Sequence, residues 1–419
     1  MNFNPSRSLF SRARKLAPHA VAVSLTTLFV VAVLTSGARA QTFTVLHAFA
    51  TGGDGGSPAS GLAITPGGVL YGTTIFGGTY GYGTVFKLKR AGSSWVEAPI
   101  YSFTGGDDGS QPYTTPLIAR DGSIYGANYG QFAECCGAVF HLQPSPNAPR
   151  AVLVPWNATV LHHFTTGGDG EYPDGDIAMD ASGSIYGTTQ SGGIANLGTV
   201  YQLTPSNGGW TETLLYQTPG GSAGSYPRGN VVLDPAGNVY GVFTQGGLDG
   251  CGNVFEVSPS GSGWTENTIY TFTCGSDGAG PEGGLLRDQA GNLYGATSGG
   301  TGGSTIFELS PSGGGWTFSL LYSFGFRLNP TGTFVMDASG NLYGTDCSGG
   351  FDADGSVYKL TKPSDGHNSW SYSSLHDFTF GADGACPEGG VVFDANGNLY
   401  GTAYAGGASG FGVAFEITP

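Results

Sequence analysis

The chain has 419 residues, and 76 of them are glycine, about 18% where soluble proteins average about 7%. Hydrophobic residues at 39%, aromatics at 12% and charged residues at only 11% exclude a disordered chain. The lack of a glycine-every-third pattern excludes collagen, and glycine at this density excludes a bundle of long helices.

Residues 1–40 differ from the rest of the chain. Arg7, Arg12, Arg14 and Lys15 precede an apolar run from Ala20 to Leu34, and Ala38-Arg39-Ala40 precedes Gln41. This pattern predicts a secretory signal peptide cleaved after residue 40. An uncleaved anchor over 16–38 is the alternative, and no second apolar run of spanning length occurs. Cleavage removes five basic and no acidic residues, leaving ten basic and thirty acidic, a net charge of −20. Nucleic acid and anionic membranes are thereby disfavoured as partners, since both attract cationic surfaces.

From residue 41 the chain repeats. TFTVLHAF begins it as an isolated strand. A Tyr-Gly pair then recurs at Tyr71, Tyr125, Tyr186, Tyr240, Tyr294, Tyr343 and Tyr400, with a glycine three residues before each tyrosine. All six tryptophans (Trp95, Trp156, Trp210, Trp264, Trp316 and Trp370) stand eight residues before Phe103, Phe164, Thr218, Phe272, Phe324 and Phe378. A residue type locked to one slot of a repeat points to packing rather than to a ligand-stacking row. Each unit offers four short strands, as in GNVVLD, NVYGVFT, GNVFEVS and TENTIYTF. Four strands per repeat of this length predict a propeller blade. The fold class is therefore all-β: a seven-bladed β-propeller of four-stranded antiparallel blades over 41–419. The chain opens with a fourth-type strand and ends with the third-type strand GVAFEITP, so the N-terminal strand is expected to join the last blade and close the ring.

The turn between the first two strands reads D-x-x-G-N, with Asp180, Asp234, Asp288, Asp337 and Asp394 in the aspartate slot. Turn capping accounts for these side chains without catalysis. The repeat F-G-x-D-G-x-x-P-x-G-L-x-x-D-x-x-G-N-L-Y-G-T, followed by Gly-Gly and G-x-V-F-x-L, resembles the GloVer tandem repeat, named after Gloeobacter and Verrucomicrobia. Its clearest copy runs from Tyr270 to Gly300. The resemblance covers nearly all of 43–419 and implies an exported bacterial protein, with no established activity. The resemblance also implies C-terminal sorting anchors of several kinds in some members; here the repeat itself runs to Pro419, and surface attachment stays open.

Strand direction places the Gly-Gly loops and the D-G…P-x-G links on one face, around the channel mouth. Each link carries a proline followed by a variable residue: Ala59, Tyr113, Asp174, Arg228, Glu282, Thr331 and Glu388. Variable side chains on a constant frame make Tyr113, Asp174, Arg228, Glu282 and Glu388 the candidate ligand-binding residues. Solvated turn residues are the plainer reading. Asp108, Asp169, Asp277 and Asp383 lie in the same links, and Asp352 and Asp354 in the loop FDADGS. These six are candidate ligands for Ca2+, an oxygen-seeking ion, although no stretch matches an EF-hand loop. Export permits disulfides, and Cys251–Cys274 and Cys347–Cys386 are the expected pairs; Cys135-Cys136 is left as a vicinal bridge or two thiols. No G-x-S-x-G elbow or H-E-x-x-H appears, and His47, His162 and His376 take an outer-strand tyrosine slot far from the channel.

Three functions remain open. The first is a monomeric, exported binding scaffold for polysaccharide or a cell-surface protein. The second is a secreted glycan lyase, hydrolase or lactonase-like enzyme at the mouth, and the third a purely structural surface protein.

Overall fold

The structure is a computed structural model, and it describes residues 41–130, 136–144, 156–325, 328–364 and 369–418. Cys135, and with it the question of a Cys135–Cys136 bridge, and His367 lie outside the described residues.

Seven antiparallel sheets succeed one another along the chain. Numbering them as blades, with strands a to d from first to fourth, blade 1 comprises Ala63–Ile64, Leu70–Thr74, Thr84–Ala91 and Ser94–Ser102. Blade 4 comprises Ser225–Leu233, Val239–Gln245, Asn253–Ser260 and Gly263–Thr271. Blade 7 draws its fourth strand from the other end of the chain: Thr42–Ala48 pairs with Val413–Thr418, Phe43 opposite Ile417 and Val45 opposite Phe415. The ring closes as expected. A second closure lies nearer the axis, where the Thr402 hydroxyl of blade 7 donates to the Ser60 carbonyl ahead of blade 1 at 2.6 Å.

The inner strands are shorter than the sequence pattern suggests. Most hold two residues, as at Leu117–Ile118 and Val392–Phe393. Only blade 4 keeps a nine-residue inner strand, with a register shift between Arg228 and Val232. A proline stands five residues ahead of each two-residue inner strand and supplies no N–H to the ladder; in blade 4 the ladder continues through Pro227, opposite Phe243, with a shift of register.

The repeat slots have steric explanations. In every blade the glycine of Tyr-Gly lies opposite an aromatic residue of strand c, as in Gly72–Phe86, Gly241–Phe255 and Gly401–Phe415. A Cβ on Gly72, Gly241 or Gly401 would stand 2.5 Å from the ring. The glycine is therefore required for space, and the ring it admits fills the gap between blades. Phe49, Phe103 and Phe272, each at most 1% exposed, meet those rings edge-on at 5.0, 5.1 and 5.2 Å. Burying each such ring contributes about 2–3 kcal/mol. The tryptophans pack against the tyrosine of the preceding blade, Trp95 on Tyr400 and Trp316 on Tyr240, both at 5.8 Å. Those tyrosine hydroxyls donate to the turn aspartates, Tyr186 to Asp180 and Tyr343 to Asp337, both at 3.1 Å. Tryptophan, tyrosine and turn aspartate thus form one inter-blade joint.

Cys251–Cys274 and Cys347–Cys386 are disulfide-bonded, tying a Gly-rich loop to the following link in blades 4 and 6. Among the described residues no helix is long and apolar enough to cross a membrane.

Candidate functional site

Most links reach the axis through one repeated backbone device. The residue before the proline is left-handed in five links: Ser57, Gln111, Tyr172, Tyr226 and Cys386, with φ between 53° and 60°. This conformation is unusual for non-glycine residues. It is held from both sides. The Gln111 N–H donates to the Tyr82 carbonyl at 2.9 Å, and the Gln111 carbonyl accepts from Tyr129 at 3.0 Å. Cys386 is held in the same way by Asp354 and Tyr404. The following side chain is then turned toward the channel.

Two stacked rings of residues result. The upper one holds the residues after the prolines; the lower one, two positions on, holds Gly61, Thr115, Asp176, Asn230, Gly284, Thr333 and Gly390. Members of both rings line one cavity of about 420 Å³. Tyr113, Asp174, Arg228, Glu282 and Glu388 all face it, together with Tyr129 and Tyr404. The five residues selected from the repeat pattern are thus brought to a single concavity.

Charge there is arranged in a chain. Arg228 Nε lies 3.3 Å from Asp174 Oδ2 and its Nη1 3.8 Å from Glu282 Oε2. Burial pushes the Asp174 carboxyl up to about 6, although Arg228 pulls against it. Burial likewise pushes Glu388 up to about 7, again opposed by Arg228. Deeper in the channel, burial raises Asp176 while the Thr115 N–H it accepts holds it back. Tyr113 is raised to about 12, first by burial and then by Glu388. Among the described residues Asp174 Oδ1, Asn230 Oδ1 and Thr331 Oγ1 are buried with no hydrogen-bond partner in the protein. An aromatic row flanks these groups, Tyr113 to Tyr129 at 5.6 Å and Tyr129 to Tyr172 at 4.7 Å. The site combines apolar ring faces, carboxyls able to donate or accept near neutral pH, and one cation already paired.

Sequence reasoning missed Tyr129, Tyr404, Asp176 and Asn230. Tyr129 and Tyr404 occupy a variable slot four residues after the Tyr-Gly tyrosine, also filled by Ile75, Gln190 and Cys347. That variability was the available signal. Asp176 and Asn230 sit three residues after their prolines, a second variable slot.

The six aspartates considered for calcium are not gathered together. Asp108 accepts from the Tyr101 hydroxyl at 2.8 Å and from Thr104 N at 2.9 Å; Asp277 does the same with Tyr270 and Thr273. Asp383 meets His376 at 3.2 Å and Thr379 at 3.1 Å, and Asp169 accepts from Thr165. Each fastens its own link to its own outer strand, away from the mouth. Asp352 is exposed in its loop, and Asp354 is half-buried.

Fold and site together define an all-β propeller with a polar, aromatic-lined mouth. The chain belongs to the Gloeobacter/Verrucomicrobia repeat family, whose pattern matches residues 30–158, 151–327 and 305–419. No curated protein matches it. Among solved structures it is similar to a putative 6-phosphogluconolactonase from Bacteroides uniformis, at 14% identity and a TM-score of 0.53 over 86% of this chain and 100% of that one. It is also similar to a gluconolactonase from Xanthomonas campestris, at 13% identity and a TM-score of 0.42 over 73% and 86%. A putative glucose dehydrogenase from Thermus thermophilus gives 14% and 0.45 over 73% and 96%. At such identities the likeness concerns the fold alone.

Proposed function

We propose that the protein is an exported scaffold whose channel mouth binds neutral polysaccharide. The observation that carries this reading is the set of Tyr113, Tyr129 and Tyr404 beside the Asp174–Arg228–Glu282 chain within one cavity. Sugar rings present apolar C–H faces to aromatic side chains and hydroxyls to carboxyls, and a concave site with a few placed polar groups fixes their orientation. The paired state of Arg228 and the surplus of carboxyls argue against an anionic ligand. Export through a leader at 1–40 fits the two disulfides, which persist in oxidising compartments.

The test is a glycan-array screen followed by calorimetry on the best neutral glycan, with mass spectrometry of the glycan afterwards. Tyr113→Ala and Tyr129→Ala are each expected to weaken binding by about tenfold, or about 1.4 kcal/mol. Unchanged affinity in both variants, or no neutral glycan retained, refutes this reading.

One observation favours a second reading, a glycan hydrolase or lyase. Glu388, raised to about 7, retains a proton near neutrality, as a general acid must. Cleaved glycan that disappears with Glu388→Gln would establish it. The lactonase names of the similar structures add only a shared fold to either reading. In the purely structural alternative, neutralising Asp174, Glu282 and Glu388 together changes no binding.

A further inference from the structure

Between neighbouring blades at the outer rim, one slot is filled by different pairs, stacked rings in some blades and a carboxylate partner in others. A strand-d residue faces the residue two positions after the tryptophan slot of the next blade, a slot that Gln41 fills in blade 7. In three interfaces the pair is two stacked rings: Tyr270 on Phe318 at 4.4 Å, Tyr322 on Tyr372 at 5.7 Å and His376 on Phe43 at 3.7 Å. Between blades 2 and 3 the pair is His162 and Glu212, and the link aspartate Asp169 joins them. His162 Nε2 lies 3.5 Å from Asp169 Oδ2 and 3.8 Å from Glu212 Oε1. One ligand-type atom from each of the three lies within 4.8 Å of the others.

From this geometry we propose that His162, Asp169 and Glu212 bind a divalent transition-metal ion, with zinc as its representative. Tetrahedral zinc with arms of about 2.0–2.1 Å places its ligand atoms about 3.3–3.4 Å apart. The two observed separations exceed that by a few tenths of an ångström, within reach of small side-chain rotations. Nitrogen with carboxylate oxygen is a donor set that suits zinc and similar ions rather than calcium.

The second observation is that the site is unfilled by protein partners. His162 Nε2 and Glu212 Oε1 are both shielded from solvent and form no hydrogen bond. The atoms corresponding to His162 Nε2 in three other links are engaged: His376 meets Asp383 at 3.2 Å, His47 meets Asp54 at 3.1 Å, and Tyr101 donates to Asp108 at 2.8 Å. His162 instead stands between two carboxylates at longer range, 3.5 Å from Asp169 and 3.8 Å from Glu212. The far oxygen of Asp169 accepts from Thr165 N at 3.2 Å and from its hydroxyl at 2.8 Å. That aims the near oxygen at the site, as outer-shell bonds do for metal ligands. Three protein ligands leave the fourth position for water or an exchangeable group. Glu97 occupies the slot of Glu212 opposite His47 and its Oε1 is likewise buried without a hydrogen bond, but there the histidine already sits on Asp54 at 3.1 Å, so that copy serves as an internal control.

The experiment strips the purified protein with chelator, adds zinc, desalts, and measures bound metal by mass spectrometry, with affinity from calorimetry. One equivalent is expected in wild type and in His47→Gln, and a loss of affinity of more than about tenfold in His162→Gln and Glu212→Gln, at least as large as for removal of an outer-shell partner. Millimolar calcium is expected to leave zinc bound. Cobalt gives an independent reading on wild type alone, through visible absorption that zinc abolishes. No zinc retained and no cobalt spectrum in wild type overturns the proposal, as does wild-type affinity in folded Glu212→Gln, or displacement of zinc by calcium.

Discussion

Arg228→Gln tests the electrostatics of the mouth. In the folded protein Asp174 and Glu388 hold their protons to about pH 6 and about pH 7, against ordinary values of 3.8 and 4.5. Both carboxyls are raised, so as pH climbs the unfolded chain loses these protons first. The folded state then binds more protons, and stability falls with rising pH between about 4 and 7. At about 1.4 kcal/mol per unit the penalty reaches about 3 kcal/mol for each carboxyl once both are ionised. Arg228 limits that penalty. A charge pair near 4 Å contributes about 4 kcal/mol at an effective dielectric of about 20. The Arg228 side chain is 41% exposed, and screening reduces the figure to about 1–2 kcal/mol, or about one further unit, on Asp174, and to less on Glu388, which lies farther from Arg228. Urea unfolding followed by tryptophan fluorescence from pH 4 to pH 9 measures this. Arg228→Gln is expected to match wild type near pH 4, apart from a constant offset, and to fall below it by a further 1–3 kcal/mol or so at pH 8–9. Arg228→Lys, which keeps the charge, is expected to restore most of the difference. If the glutamine variant runs parallel to wild type across the whole range, the carboxyls are not coupled to Arg228 as described.

The turn aspartates offer a stability test of opposite sign. Asp394 accepts from Asn396 N at 2.8 Å, Asn398 N at 2.9 Å, Asn398 Nδ2 at 2.8 Å and the Tyr400 hydroxyl at 3.3 Å. Partial burial raises its pKa, but these bonds outweigh it and hold the carboxyl below its ordinary value. Asp394→Ala is expected to destabilise by about 2 kcal/mol at pH 7, net hydrogen bonds contributing about 0.5–1 kcal/mol each. The difference is retained above the ordinary carboxylate pKa and shrinks as pH falls through the lowered folded value; an unchanged urea midpoint at pH 7 refutes the joint. The Cys347–Cys386 bond spans 39 residues, so replacing both by serine is expected to cost up to about 4 kcal/mol in chain entropy. The same change releases the link that carries Glu388, so a stability loss without weaker glycan binding would show that the link holds its conformation unaided.

Much of the architecture was legible in the sequence, because a propeller blade repeats its local chemistry. The tyrosine, tryptophan and turn-aspartate slots recur in phase, so blade number, strand order and the joining of Thr42–Ala48 to the last blade come from counting. The prolines likewise marked Tyr113, Asp174, Arg228, Glu282 and Glu388 as residues that share one face. What those residues do to one another was not legible. Arg228 stands 54 positions from both Asp174 and Glu282, and only side-by-side packing of blades 3, 4 and 5 brings the three together. The raised carboxyls depend on burial by neighbouring blades, and Tyr129 enters the mouth from a second strand rather than a link. His162 and Glu212, 50 positions apart, become neighbours for the same reason. Local sequence determines each blade, since strands and turns are short-range objects. The charges and contacts of the sites arise between blades, where distance in the chain says nothing about distance in space.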